Sequence, residues 1–308
     1  MTTKSFKEIA TEWREFKKNY IKRSTYSAYT LIVENHLIPF FGNKTQITER
    51  EIQRYALFKH NDGLSSKSIK DTIVVLKMIL KYGCKQGYLK TTSWDIILPT
   101  EEKKNNIAVF NIDTQKKIMS YIHSNFTFKN FGIYLCLSTG LRIGEVCALQ
   151  WKDIDINTGL ISITKTIGRI YIIENSIKHT ELIIDSPKTK NSIREVPIPN
   201  DMIKLLKSIK KIVNPDYYIL TNEKCPIEPR TYRNYYKRLL SKLNVPKLKF
   251  HGLRHSFATR CIECNCDYKT VSVLLGHSNI STTLNLYVHP NLDQKKKCIN
   301  KMFKSLGH

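Results

Sequence analysis

Apolar residues recur at helical spacing through the first ninety or so positions. Phe6, Ile9, Ala10, Trp13 and Phe16 fall on one helical face. A second helix is predicted from Thr25 toward His36, closed by Pro39 and Gly42. Thr48-Glu49-Arg50-Glu51 has the spacing of a capping box, in which a hydroxyl and a carboxylate satisfy each other's orphan backbone N–H groups, ahead of Ile52 and Tyr55. Ser65 and Ser66 precede a long amphipathic stretch whose Ile69, Ile73, Leu76 and Leu80 face one way, and Gly83 and Gly87 end it. Four helices in this length make a small bundle.

Residues 99–106, PTEEKKNN, are polar and opened by a proline, which marks a linker. The period changes after it. Helical patterns cover roughly 113–123 and 129–138, then 153–198 turns to β, with Leu160–Thr166 and Ile170–Ile173 alternating with turn residues and Arg194–Ile198 closing the series. Helices return near 201–212, 230–243, 252–264, 268–275 and 281–287. The chain therefore reads as α+β: a helical domain over 1–98, a linker over 99–106, and a mixed, mainly helical domain with a small antiparallel sheet over 107–308.

Charge changes the picture. The 308 residues carry 50 Lys+Arg against 26 Asp+Glu, a net of +24. Both parts share the excess, with 17 basic and 9 acidic residues in 1–98 and 33 and 17 in the rest. A surplus of this size favours a polyanionic partner, most simply nucleic acid, and excludes a lone basic tail as its source. No apolar run approaches the ~20 residues of a membrane span, and the N-terminus lacks the apolar core of a signal peptide, so a cytoplasmic protein with reduced cysteines is expected. Cys261, Cys264 and Cys266 in CIECNC have no second half of a metal site and read as reduced, buried thiols at a helix ending near Asn265. Tyr232, Tyr235 and Tyr236 lie among Arg230, Arg233, Lys237 and Arg238, a core stripe combined with a basic face. Two further basic runs, Lys103-Lys104 and Lys295-Lys296-Lys297, are candidate phosphate contacts or solvated faces.

The candidate chemistry sits in TGLRIGE, HGLRHSFATR and LLGHSNISTTLNLY, which supply Arg142, His251, Arg254, His277 and Tyr287. Guanidinium forks match two non-bridging phosphate oxygens and stabilise the charge that builds there in a pentavalent transition state. A tyrosine hydroxyl, with a pKa near ~10, needs a base and a positive field to attack, and His251 supplies a base. Arg142 and Glu145 are three apart, as are His251 and Arg254, so each pair shares a face on a helix. Gly140 and Gly252 suit backbone angles that larger residues resist. No phosphate-binding glycine loop and no acidic metal cluster accompanies this set, so neither a metal nor another cofactor is expected.

These motifs, in this order and at these spacings, resemble the tyrosine recombinase (phage integrase) family, most closely the integrases of phages and conjugative transposons. The resemblance covers nearly the whole chain, with HLIPFFGNKTQITEREIQRY as the recognisable stretch of a helical core-binding domain. It implies catalytic roles for Arg142, His251, Arg254, His277 and the nucleophile Tyr287, a pocket-shaping role for Glu145, and a β-turn lysine at Lys188 in SPKTKNSIREVPIP, with Lys190 as the alternative. It also implies cleavage and rejoining of double-stranded DNA through a 3′-phosphotyrosine, by a homotetramer on two synapsed sites, with an accessory DNA-bending or directionality factor as a further partner. The β region is longer than in compact members, and the excess near 167–183 reads as an extra hairpin against DNA or a neighbouring subunit. Cys298, Ile299, Met302, Phe303 and Leu306 form an apolar stripe in the tail, docking either on the next protomer or on its own domain. Two other readings use the same residues: relaxation of DNA by a type IB topoisomerase, and DNA binding by a non-catalytic regulator.

Overall fold

A computed structural model describes residues 4–90, 93–99, 108–174, 177–187, 189–287 and 292–306. The chain divides into two compact units. Residues 1–105 and 169–182 form the first, and 106–168 with 183–308 form the second.

The first unit is built on five helical segments: α1 (Phe6–Lys18), α2 (Arg23–Ile32), α3 (Ile38–Phe41), α4 (Glu49–Asn61) and α5 (Ser66–Lys85). Two capping boxes start its helices. Ser5 and Glu8 close one at α1, and Thr48 and Glu51 close the one predicted for α4. The Ser65 hydroxyl accepts from the Ser68 N–H and starts α5. Phe6, Ile9, Ala10, Trp13, Leu37, Phe41, Ile52, Tyr55, Ile69, Leu76 and Leu80 make one buried core. Phe16, expected on that face, is half exposed at its edge against Tyr20 and Tyr82.

Pro39 does not end the second helix as expected. A π-helical turn, Val33–Leu37, carries α2 directly into α3, and Pro39 falls in the first turn of α3, where its missing N–H costs little. Gly83 likewise lies inside α5. A Cβ there would come within 2.9 Å of Leu89, so the glycine admits the returning chain rather than stopping the helix.

The second unit opens with α6 (Ile112–Ser124) and α7 (Phe128–Thr139). Nearly every residue of α7 is buried, which is why its sequence shows little amphipathic contrast. Gly132 lets α7 approach its neighbour closely: a Cβ there would lie 2.5 Å from the Tyr232 hydroxyl, which donates to the Lys129 carbonyl. The short α8 (Ile143–Ala148) leads into β1 (Ile154–Asp155), β2 (Leu160–Ile163), β3 (Thr166–Glu174), β4 (Ile177–Asp185) and β5 (Arg194–Pro197). The antiparallel sheet has the order β1-β2-β5, with Ile161 opposite both Ile154 and Val196.

Strands β3 and β4 form the extra hairpin as a separate two-stranded sheet. Its outer part, 169–182, belongs to the helical unit. The Tyr171 N–H donates to the buried Ser27 hydroxyl at 2.7 Å, and Arg23 pairs with Glu181 at 2.6 Å.

The remaining helices are α9 (Asn200–Ile209), α10 (Pro229–Lys242), α11 (His251–Glu263), α12 (Tyr268–Leu275), α13 (Ser281–Tyr287) and α14 (Leu292–Ser305). On α10 the mixed stripe separates cleanly. Tyr232 and Tyr236 are buried, whereas Arg230, Arg233, Lys237 and Arg238 are exposed. Along and just beyond α14, Ile299, Met302, Phe303 and Leu306 are exposed, as are Lys295 and Lys296. The linker beyond Pro99, with Lys103-Lys104, and the side chains of Lys297 and Cys298 lie outside the described residues. No helix among the described residues is long and apolar enough to cross a membrane.

Candidate active site

The site is assembled around the end of α12. The last carbonyls of any α-helix lack partners within the helix and carry the negative end of its dipole. Here three successive ones take three different guanidiniums. Arg194 Nε donates to the Leu274 carbonyl at 2.7 Å, Arg254 Nη2 to Leu275 at 2.6 Å, and Arg142 Nη2 to Gly276 at 3.2 Å.

Two left-handed glycines aim this set. Gly140 caps α7 with φ +68°, and its carbonyl accepts from Arg254 Nη1 at 2.9 Å. Gly276 caps α12 with φ +64°, and a Cβ there would lie 2.8 Å from the Asn191 carbonyl. The angle expected at Gly140 is present, but Gly252 is an ordinary helical residue. Its small size matters through close packing, since a Cβ would sit 3.1 Å from Leu248.

Arg142 and Glu145 do meet, though not on one helical face. Arg142 is the N-cap of α8, and Glu145 is the third residue of that helix. The Arg142 backbone N–H donates to Glu145 Oε2 at 2.8 Å and its Nη1 to Oε1 at 2.7 Å. Glu145 is buried, and a second cation grips it: Arg194 Nη1 and Nη2 reach its two oxygens at 3.1 and 3.0 Å. Burial alone would raise the Glu145 carboxyl, but the Arg194 fork, followed by Arg142, holds it below the usual range, so it is ionised.

His251 is the first residue of α11, one turn before Arg254, which is 1% exposed. Burial, reinforced by His255, Arg254 and Arg142, pushes the His251 imidazole down to about 4. The His255 ring stands edge-on to it at 4.5 Å. His277 follows Gly276, and its Nδ1 shares a 2.8 Å hydrogen bond with the buried Thr283 hydroxyl on α13. Burial, then Arg254, Arg142, His251 and Arg194, brings His277 down to about 4 as well. Both imidazoles are therefore neutral at pH 7 and able to accept a proton.

The structure thus brings together Arg142, Glu145, His251, Arg254 and His277. Tyr287 is the last residue of α13, and its side chain lies outside the described residues, as do Lys188, the Lys190 side chain and His289-Pro290. Sequence reasoning missed Arg194, Gly276, Thr283 and His255. Arg194 was visible only as the polar start of a strand; the signal available was an arginine three sheet-forming positions from a proline, close after the lysine-bearing turn. The thiols behave differently from the buried reading: Cys264 and Cys266 are exposed and Cys261 is half buried, although Asn265 does close α11 in the left-handed conformation at φ 59°.

The chain has counterparts among known proteins. Residues 109–294 match the model of the Phage integrase family, and residues 5–59 match that of the Phage integrase N-terminal SAM-like domain. The chain is 33% identical to a XerC-like tyrosine recombinase of Caldanaerobacter subterraneus subsp. tengcongensis, over 92% of this chain and 75% of that protein. It is 28% identical to the ICEBs1 integrase of Bacillus subtilis, over 93% of this chain and 78% of that one. Among solved structures, the Tn1549 transposon integrase in complex with a circular intermediate DNA superposes with a TM-score of 0.75 at 21% identity, covering 97% of this chain and 99% of that one. A lambda integrase tetramer bound to a Holliday junction gives 0.62 at 18% identity, covering 94% and 80%.

The chain belongs to the phage integrase family of tyrosine recombinases. It is an enzyme of site-specific recombination.

Proposed function

We propose that Tyr287 is the nucleophile and that the site around the α12 terminus holds the scissile phosphate of double-stranded DNA. Arg142 and Arg254 grip the non-bridging oxygens, and neutral His251 accepts the tyrosine proton as the Tyr287 Oη–P bond forms. His277 donates a further hydrogen bond to the phosphate. The P–O5′ bond breaks, and Lys188, or Lys190 in its place, gives the leaving oxygen its proton. A 5′-hydroxyl from the partner duplex reverses these steps on the phosphotyrosine and rejoins the strands. The chemistry needs no metal or other cofactor, because the arginines supply the positive field.

One observation carries this reading: the guanidiniums of Arg142 and Arg254 are fixed on adjacent carbonyls at the end of α12, beside His277 and close enough to His251 to depress both imidazoles. Cations there suit a phosphate, and neutral histidines beside them suit proton acceptance.

We assign DNA contact to both parts of the chain, with residues 1–98 as the core-binding domain, 99–106 as linker and 107–308 as the catalytic domain. The exposed face Arg230, Arg233, Lys237 and Arg238 supports a phosphate-backbone contact on α10. The exposed apolar stripe Ile299, Met302, Phe303 and Leu306 supports docking of the tail on a neighbouring protomer, and hence a tetramer on two synapsed sites. The reaction, which serves integration, excision or resolution, takes place in the cytoplasm with an accessory DNA-bending or directionality factor as a further partner.

The experiment is covalent trapping on nicked suicide duplexes drawn from the repeats flanking the gene. Wild-type protein is expected to give a denaturation-resistant protein–DNA band, and Tyr287→Phe none. Binding without a band in the wild type would point to the non-catalytic reading, and relaxation of supercoils without a specific site to the topoisomerase reading.

A further inference from the structure

We propose that Arg194 is a positioning residue of this active site: it takes up the charge of Glu145, so that Arg142 meets the DNA phosphate with its own charge uncompensated. The inference rests on the proposed chemistry and deepens it.

Glu145 orders Arg142 through two bonds, one from the backbone N–H and one from Nη1. By itself this contact would be self-defeating. A carboxylate paired with a single guanidinium is a neutral unit, and a neutral unit stabilises a developing phosphate charge poorly. Burial sharpens the problem, because the pair is weakly screened by solvent.

Arg194 resolves it. Its fork takes both carboxylate oxygens, with Nη1 on Oε1 and Nη2 on Oε2, the bidentate pairing in which guanidinium binds carboxylate best. Arg194 is only 5% exposed at its side chain, whereas Arg142 is 34% exposed. The buried arginine is thus committed to the carboxylate, and the other keeps about a third of its side-chain surface open to an incoming ligand. Counting charges, Arg142, Arg194 and Glu145 together leave one positive charge, to which Arg254 adds a second.

The remaining bonds of Arg194 fix it in that role. Nε reaches the Leu274 carbonyl on α12, and Nη1 also reaches the Ser192 carbonyl at 3.1 Å, in the turn that follows Lys188 and Lys190. Gly276 fits against it, since a Cβ at Gly276 would meet the Arg194 Cδ at 3.1 Å. An arginine holding only a structural corner would need the two carbonyls but not the carboxylate.

The test separates neutralisation from tethering by a double-variant comparison, in single-turnover trapping on the suicide duplex. Arg194→Met is expected to slow covalent-complex formation about 100-fold with DNA affinity within about 3-fold of wild type, and Arg194→Lys, which keeps a cation beside Glu145, to stay within about 10-fold. In a Glu145→Gln background there is no charge to neutralise, so adding Arg194→Met should change the rate less than about 3-fold. This second comparison stands even where Arg194→Met alone fails to fold, because the double variant leaves no buried carboxylate short of a partner. The proposal is overturned if Arg194→Lys is as impaired as Arg194→Met, or if Arg194→Met costs as much in the Glu145→Gln background as in wild type. Absence of a covalent complex from wild-type protein that binds the duplex would instead overturn the proposed chemistry on which this inference rests.

Discussion

Arg254 and Gly140 stand 114 positions apart in sequence and 2.9 Å apart in the fold, guanidinium to carbonyl. The contact depends on the left-handed φ of Gly140, which turns its carbonyl toward α11. Gly140→Ala adds a Cβ that would meet Phe257 at 2.6 Å and Leu275 at 2.9 Å, besides straining the backbone. A loss of about 2–3 kcal/mol in stability is expected from strain and overpacking together. Phe257 lies on the same helix as Arg254, so a displacement there also misaims the guanidinium, and cleavage should fall about 100-fold. Urea unfolding and single-turnover trapping measure the two effects separately.

His277 is oriented by Thr283, and that bond is open to a conservative test. Thr283→Val keeps the buried volume and removes the hydroxyl that meets Nδ1. The imidazole then loses its tautomer control, and the cleavage rate should drop about 10-fold with folding preserved. An unchanged rate would show that the ring is held by packing alone.

The two depressed histidines make a prediction about acid. Their ordinary value is 6.5 and their folded values are about 4. Between those limits the unfolded chain binds protons that the folded chain refuses, so stability falls as pH drops from 6.5 toward 4. Above 6.5 both states carry neutral rings, and these groups contribute no slope. Thermal melts at pH 7.5, 6 and 5 should show the decline, and the His251→Gln, His277→Gln double variant should flatten it. Partial solvent access to both rings limits its size.

The tail should be separable from the fold. Phe303→Asp alters an exposed position, so the monomer is expected to melt within about 0.5 kcal/mol of wild type. On paired recombination sites the same change should lower the fraction of tetramer severalfold in sedimentation. Equal assembly would assign the apolar stripe to another surface.

How much of this could be read before the fold was known depends on where each interaction lies. Thr48–Glu51 and Ser65 declared their helices because capping is local, complete within four residues. The hydrophobic period placed Ile69, Ile73, Leu76 and Leu80 in the core for the same reason. Pro39 misled, because a proline's steric veto can be absorbed by a π turn that no short pattern announces. Arg142, Glu145, His251, Arg254 and His277 were legible as motifs, yet their meeting place was not. It is a row of backbone carbonyls, and backbone leaves no signature in side-chain identity. Arg194 stayed hidden because a buried cation reads in sequence like an exposed one until its carboxylate is found.

The row of carbonyls at the end of α12 has a consequence for how the enzyme can be switched. Leu274, Leu275 and Gly276 tether all three arginines, and the same short stretch of chain runs on through His277 and α13 to Tyr287. Anything that pulls on α13 therefore reaches both the arginine tethers and Tyr287, the proposed nucleophile, through one peptide segment. With the roles proposed above, a protomer built this way would have few half-active forms, since moving α12 to displace Tyr287 would also loosen the arginines around the phosphate. In the proposed exchange of strands, such all-or-none arming would keep an idle subunit from cutting a strand that its neighbours are not ready to receive.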